Sequence, residues 1–273
     1  MRYVATGLLL MLGAGSAFAA VGVWLGPGVG SAYTTGYTGY SDEDVARSGF
    51  LLGFGAGWEN PRFTVRGFYA VESGADITHE PYTGEFSLLI ESDETTSAET
   101  NTDLAVGYKL PGSAVTLVPG LAVNWNRAYY EDNWSREVEN TIGHYKDVED
   151  KDAIVHDWLV TPTFGVCNTI GILSWSAGVG VGYLSHRETG GRHELYYDYV
   201  AGERSDATAE VKLTSGGLGA RVDGGAAFQF GRFFRLGANV GVRSALSDID
   251  KPNGTTGKKR MDVTVAVTPA FSF

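Results

Sequence analysis

The feature that most limits what this chain can fold into is a two-residue alternation that recurs almost from end to end. In "LSWSAGVGVGY" (173–183), Leu173, Trp175, Ala177, Val179, Val181 and Tyr183 alternate with Ser174, Ser176, Gly178, Gly180 and Gly182. Successive strand side chains point to opposite faces, so this is the signature of a strand with one apolar face. Similar alternation marks 50–58, 62–69, 103–110, 115–125, 156–166, 218–230, 234–242 and 261–273. A further strand is expected around 21–30, where Trp24 and Pro27 disturb the pattern. The expectation is all-β, with about ten strands (eight to twelve).

The connections alternate in length. Tight turns are expected at 59–61, 111–113, 167–171 and 231–233, and long polar loops near 33–48, 71–101, 127–153, 185–209 and 244–259. With antiparallel neighbours, all tight turns gather at one end and all long loops at the other. No linker divides the rhythm.

Two solutions bury such strands: a soluble sandwich, or a closed barrel whose apolar face meets lipid. The apolar face carries no Asp, Glu, Lys or Arg, and His156 is its one ionisable residue. The opposite face is rich in Gly, Ala, Ser and Thr rather than in long charged side chains. That suits a crowded lumen better than a solvated surface. Aromatic residues gather at two heights, as interfacial girdles do. Trp58, Phe63, Tyr108, Phe164, Trp175, Phe228, Phe230, Phe234, Phe271 and Phe273 lie at the tight-turn end; Phe50, Tyr69, Trp125, Trp158 and Tyr183 lie at the other. Backbone groups in lipid must all be paired, so the sheet is expected to close into an up-and-down antiparallel transmembrane barrel.

The N-terminus agrees with export. "MRYVATGLLLMLGAGSAFAA" has one charge, a short apolar run and a small-x-small site at Ala17–Ala19. It reads as a signal peptide spanning 1–19, leaving 20–273 as the barrel. The single cysteine, Cys167, is expected in a turn and excludes an intrachain disulfide. A net charge of −11 argues against a nucleic-acid partner.

Together these residues resemble the small bacterial outer-membrane β-barrels, above all in the closing "VTVAVTPAFSF" (263–273), alternate apolar residues ending on Phe273. The resemblance implies insertion into outer-membrane lipid by the barrel-assembly machinery, which reads such a C-terminal strand, and a location in the outer membrane of a Gram-negative-type bacterium. Ten strands is also the size of the omptin proteases, whose signature pairs Asp-x-Asp with Asp-x-His. Asp42-x-Asp44, Asp150-x-Asp152 and Asp248-x-Asp250 are present, but no histidine has an Asp two residues before it. The departure argues against that activity.

Candidate functional residues fall into two groups. On the small-residue face lie Arg62, Arg66, Asp103, Lys109, Asp157, Arg221, Asp223, Arg235, Arg243 and Asp262, a set that would either plug a narrow lumen with ion pairs or line a path. In the acidic loop segments "ESDETTSAET" and "YKDVEDKD", Asp147, Glu149, Asp150 and Asp152 are spaced densely enough for a weak divalent-cation site, without the glycine or final Glu of an EF-hand. Tyr-rich "RAYYEDNW" and "HELYYDYV" favour recognition of an extracellular ligand. His156, His186 and His193 are the candidates for a hydrolytic site at the rim. The expected role is structural or adhesive, without cofactor or catalysis; a small porin-like channel and a rim-site hydrolase are the other readings.

Overall fold

The computed structural model describes residues 22–36, 45–84, 87–112, 114–140, 143–231, 233–247 and 261–272. Strands β1 (Gly22–Gly36), β2 (Val45–Glu59), β3 (Phe63–Gly84) and β4 (Ser87–Tyr108) are followed by β5 (Leu110–Pro111), a two-residue continuation of β4. Then come β6 (Thr116–Asn140), β7 (Gly143–Ile170), β8 (Leu173–Asp198), β9 (Glu203–Phe230), β10 (Phe234–Ala245) and β11 (Met261–Ser272). Each strand pairs antiparallel with its sequence neighbour, β4 pairs with β6, and β1 pairs with β11. The result is a closed barrel of ten staves.

The registers fix its geometry. Paired residues run once around the wall from Glu59 through Thr64, Gly107, Gly120, Thr163, Gly180, Arg221, Arg243, Asp262 and Thr34 to Arg47. The circuit returns to β2 twelve residues from its start. For ten strands that stagger requires a tilt of about 40°, within the range of membrane barrels.

The expected faces are present. Leu52 is 55 % exposed while Leu51, its neighbour, is 1 % exposed. Phe50, Leu121, Val179, Val181, Leu218, Val222, Val265 and Val267 all face outward. A soluble protein would cover such an apolar belt; lipid does so here.

Two sequence expectations are corrected. Residues 33–36, 45–48, 71–84, 87–101, 127–140, 143–153, 185–198, 203–209 and 244–245 are strand rather than loop. These segments carry polar residues on both faces, which erases the apolar alternation without breaking the ladder. Cys167 lies within β7, facing inward among the lumen residues, because the turn begins only after Ile170. Gly171 takes φ 61 there, a conformation that favours glycine.

Candidate functional site

The lumen is narrow enough for side chains from opposite walls to meet. Its inward glycines explain how. Trp24 on β1 points inward over Gly55 and Gly57, and Phe68 on β3 fills the space beside Gly28 and Gly53. Glycine at these positions makes room for rings that otherwise would not fit.

Above the rings sits a layer of charge. Arg243 donates to Asp103 Oδ2 at 2.7 Å, and Arg221 Nη2 donates to Asp103 Oδ1 at 3.2 Å. Arg221 also grips Asp223 bidentately, through Nε at 2.6 Å and Nη2 at 2.9 Å. Arg221 and Arg243 are both buried. Asp103 comes from β4 and its partners from β9 and β10, across the barrel. Arg fits this task because its planar fork meets a carboxylate with two parallel bonds.

Further from the tight turns the lumen is filled by amides and carboxyls. Asn124 donates to Asn101 at 2.9 Å, and Asn126 donates to Glu99. His186 Nδ1 lies 2.6 Å from Asp157 and its Nε2 lies 3.6 Å from Glu188. His186 and Glu188 are at most 1 % exposed. Asp262 is buried at the register position opposite Arg243. Among the described residues this polar layer is packed, with a cavity of about 10 Å³ beside Leu51, Ala70, Glu99 and Asp262.

Nearer the tight turns, Lys109 pairs with Glu59, Arg66 donates to Ser176 at 3.0 Å, and Arg235 lies over the Trp24 ring, 5.1 Å from its centroid. Arg62 does not join them. Asn60 Oδ1 accepts the backbone N–H groups of Arg62 and Phe63 at 2.7 and 2.6 Å, closing a turn that leaves Arg62 exposed. Strand parity had placed it inside; the turn begins before parity applies.

Asp147, Glu149, Asp150 and Asp152 do not converge. They lie on β7, where Asp147 and Glu149 face one way and Asp150 and Asp152 the other. Glu149 pairs with Lys151 at 3.0 Å and with Arg192; Asp150 lies 3.7 Å from His193, and Asp152 accepts the Gly191 N–H at 3.1 Å. Among the described residues no three acidic, histidine or cysteine groups are placed to hold a metal. His193 is exposed on the β8 hairpin and bonds Asp206 at 3.0 Å, which raises its pKa above the ordinary histidine value.

The girdle residues Trp58, Trp125, Trp158, Trp175, Tyr183, Phe228, Phe230 and Phe271 all sit on the outward-facing rows. Trp125 and Trp158 stack at 5.1 Å. Phe273 lies outside the described residues. Sequence reasoning missed Trp24, Asn101, Asn124, Asn126, Glu99 and Glu188. Counting on by twos from Gly180 and Gly182 reaches His186 and Glu188, so strand parity carried that signal.

No protein-family model matches the chain, and no curated protein matches it. Solved structures similar in shape include the outer membrane protease OmpT of Escherichia coli, at 9 % identity and TM-score 0.46, covering 93 % of this chain and 96 % of that one. Ail, the attachment invasion locus protein of Yersinia pestis, matches at 11 % identity and TM-score 0.32, covering 93 % and 100 %. Neisserial surface protein A matches at 10 % identity and TM-score 0.32, covering 93 % and 98 %. The chain's own registers show an all-β, closed antiparallel barrel.

Proposed function

We propose that this protein is a non-enzymatic surface barrel of the outer membrane, closed to solutes, whose work is done by the hairpins above the membrane. The supporting observation is the lumen itself. Asp103, Arg221 and Arg243 tie three staves together across it, and the amide and carboxyl layer beyond them is buried. Such a layer opposes conduction and stiffens the barrel. Meanwhile β3, β4, β6, β7, β8 and β9 run 22 to 28 residues, far beyond the roughly 9–11 that a membrane crossing needs.

The hairpins carry recognition chemistry. Tyr129, Tyr196 and Tyr199 are exposed, and charged residues alternate with them. An extracellular ligand at this surface is the natural partner. Residues 1–19 serve as the export signal, and β11 is the strand presented to the barrel-assembly machinery. The histidines fit structural roles better than hydrolytic ones: His186 is sealed from solvent, and His144 and His193 pair with carboxylates on the hairpins.

Planar-bilayer recording of the purified barrel tests the closed lumen. The expected record has no stable conductance steps. Sustained, large single-channel currents would overturn it in favour of a channel.

A further inference from the structure

Below the Asp103 layer the lumen is not filled. A cavity of about 220 Å³ lies under Arg221 and Arg243, and a second of about 100 Å³ continues it toward the tight turns. The two share Trp24, Arg66, Cys167, Ser176, Asn239 and Thr268 as walls, and Glu59, Asn168 and Thr169 line the end of the second nearest the turns. Together they form a vestibule beneath the charged layer.

Its charges do not balance. Four guanidinium groups line it, those of Arg66, Arg221, Arg235 and Arg243, against three carboxylates, Glu59, Asp103 and Asp223. Glu59 is taken by Lys109, and Asp103 and Asp223 are taken by Arg221 and Arg243. Among the described residues neither Arg66 nor Arg235 stands in a salt bridge; Arg66 has a hydroxyl and Arg235 an indole face. Arg243, nine-tenths buried, has Nε and Nη1 without a hydrogen-bond partner. An excess of cationic groups at membrane depth calls for a counter-charge, in a chain whose overall charge is −11. Trp24, Phe68 and Val118 supply apolar wall beside them.

We propose that this vestibule binds a small organic anion: a carboxylate held by Arg66 and Arg235, with a compact apolar body against Trp24 and Phe68. The site goes beyond the surface role, because it lies toward the opposite, tight-turn end of the barrel. Guanidinium groups pair a carboxylate bidentately, and an apolar pocket with a few convergent polar groups is the usual form of a small-molecule site.

Benzoate is a suitable probe, with benzyl alcohol as its neutral counterpart. Binding is read by equilibrium dialysis of the detergent-solubilised barrel, and by fluorescence of Trp24 compared with a Trp24→Phe variant. Expected are saturable benzoate binding, much weaker binding of benzyl alcohol, and a loss of about tenfold or more in benzoate affinity in Arg66→Gln/Arg235→Gln. The heat-resistant gel mobility of each variant reports that the barrel has folded. A single Arg235→Lys variant, which keeps the charge, should retain part of the affinity. Absent saturation, equal binding of the alcohol, or unchanged affinity in the folded double variant would each overturn the proposal. None of these results depends on whether the hairpins bind a surface ligand or the bilayer shows current.

Discussion

Asp103 and Arg243 stand 140 residues apart in the chain and 2.7 Å apart across the lumen. With Arg221 they join β4 to β9 and β10, neither of which shares a ladder with β4. Asp103→Asn removes the carboxylate and leaves two buried guanidinium groups facing each other. Losing one member of a buried ion network costs about 3–5 kcal/mol. The expected outcome is a lower urea midpoint for the barrel in detergent micelles, with the strand content of the folded state unchanged. A midpoint equal to that of the parent would mean that the layer does not brace the wall.

Gly57 lies beneath the Trp24 indole, which a Cβ there would strike. Gly57→Val should destabilise the barrel by about 1–3 kcal/mol through overpacking and alter the near-ultraviolet dichroism of Trp24. Gly171 makes a useful contrast. It has open space around it but φ 61, so Gly171→Ala is expected to cost about 1 kcal/mol through backbone conformation alone. Parallel urea titrations of the two variants would separate the two causes.

His193 and Asp206 form an exposed pair on the β8–β9 hairpin. The hydrogen bond that His193 donates to Asp206 raises the His193 pKa and lowers that of Asp206. The histidine contribution to hairpin stability is therefore complete below the ordinary histidine pKa of 6.5 and is lost as pH rises through the raised value. The aspartate contribution is complete above its ordinary value of 3.8 and is lost as pH falls through the lowered one. Proton NMR of His193 should show a midpoint that moves down toward 6.5 in Asp206→Asn. An unmoved midpoint would rule the pairing out.

Replacing 133–150 by a short Asn-Gly turn between the paired Asp132 and Lys151 removes the tip of the β6–β7 hairpin and leaves the Trp125–Trp158 stack in place. Heat-resistant gel mobility should survive, while adhesion of cells displaying the barrel should fall to background. Retained adhesion would move the recognition surface to another hairpin.

Phe271 is 60 % exposed on the outer wall, beside Phe234 on β10 and Leu25 on β1. Phe271→Ala should lower the fraction of folded barrel in outer-membrane extracts. Refolding from urea into detergent should change little, because the expected defect lies in delivery rather than in the final contacts.

The stretch of each stave that touches lipid was legible in the sequence, because lipid imposes a strict outer face and the small lumen an inner one. Leu51 and Leu52 show how sharp that division is. The upper halves of β6 to β9 were not legible. Water bathes or polar neighbours cover both of their faces, so a residue such as Glu149 or Asp150 gives no clue that the ladder continues. The lumen residues were partly legible. Parity placed Asp103, Arg221 and Arg243 inside, but the meeting of β4 with β9 and β10 depends on barrel diameter and stagger, which emerge only when all ten staves close. Trp24 shows in the sequence only as a break in the alternation, because an inward aromatic departs from the rule that large rings face lipid; the glycines opposite it are the available clue.

The unequal lengths of the staves give the molecule a front and a back. β7, with 28 residues, extends about 70 Å along the barrel axis at this tilt, while β10, with 12, extends about 30 Å. Among the described residues the β-wall stands high through β6 to β9, while β10 ends at Ala245. A protein drifting in the same leaflet meets a parapet on the flank of β6 to β9 and a lower sill at β10, so even in a fluid membrane this barrel has a compass direction.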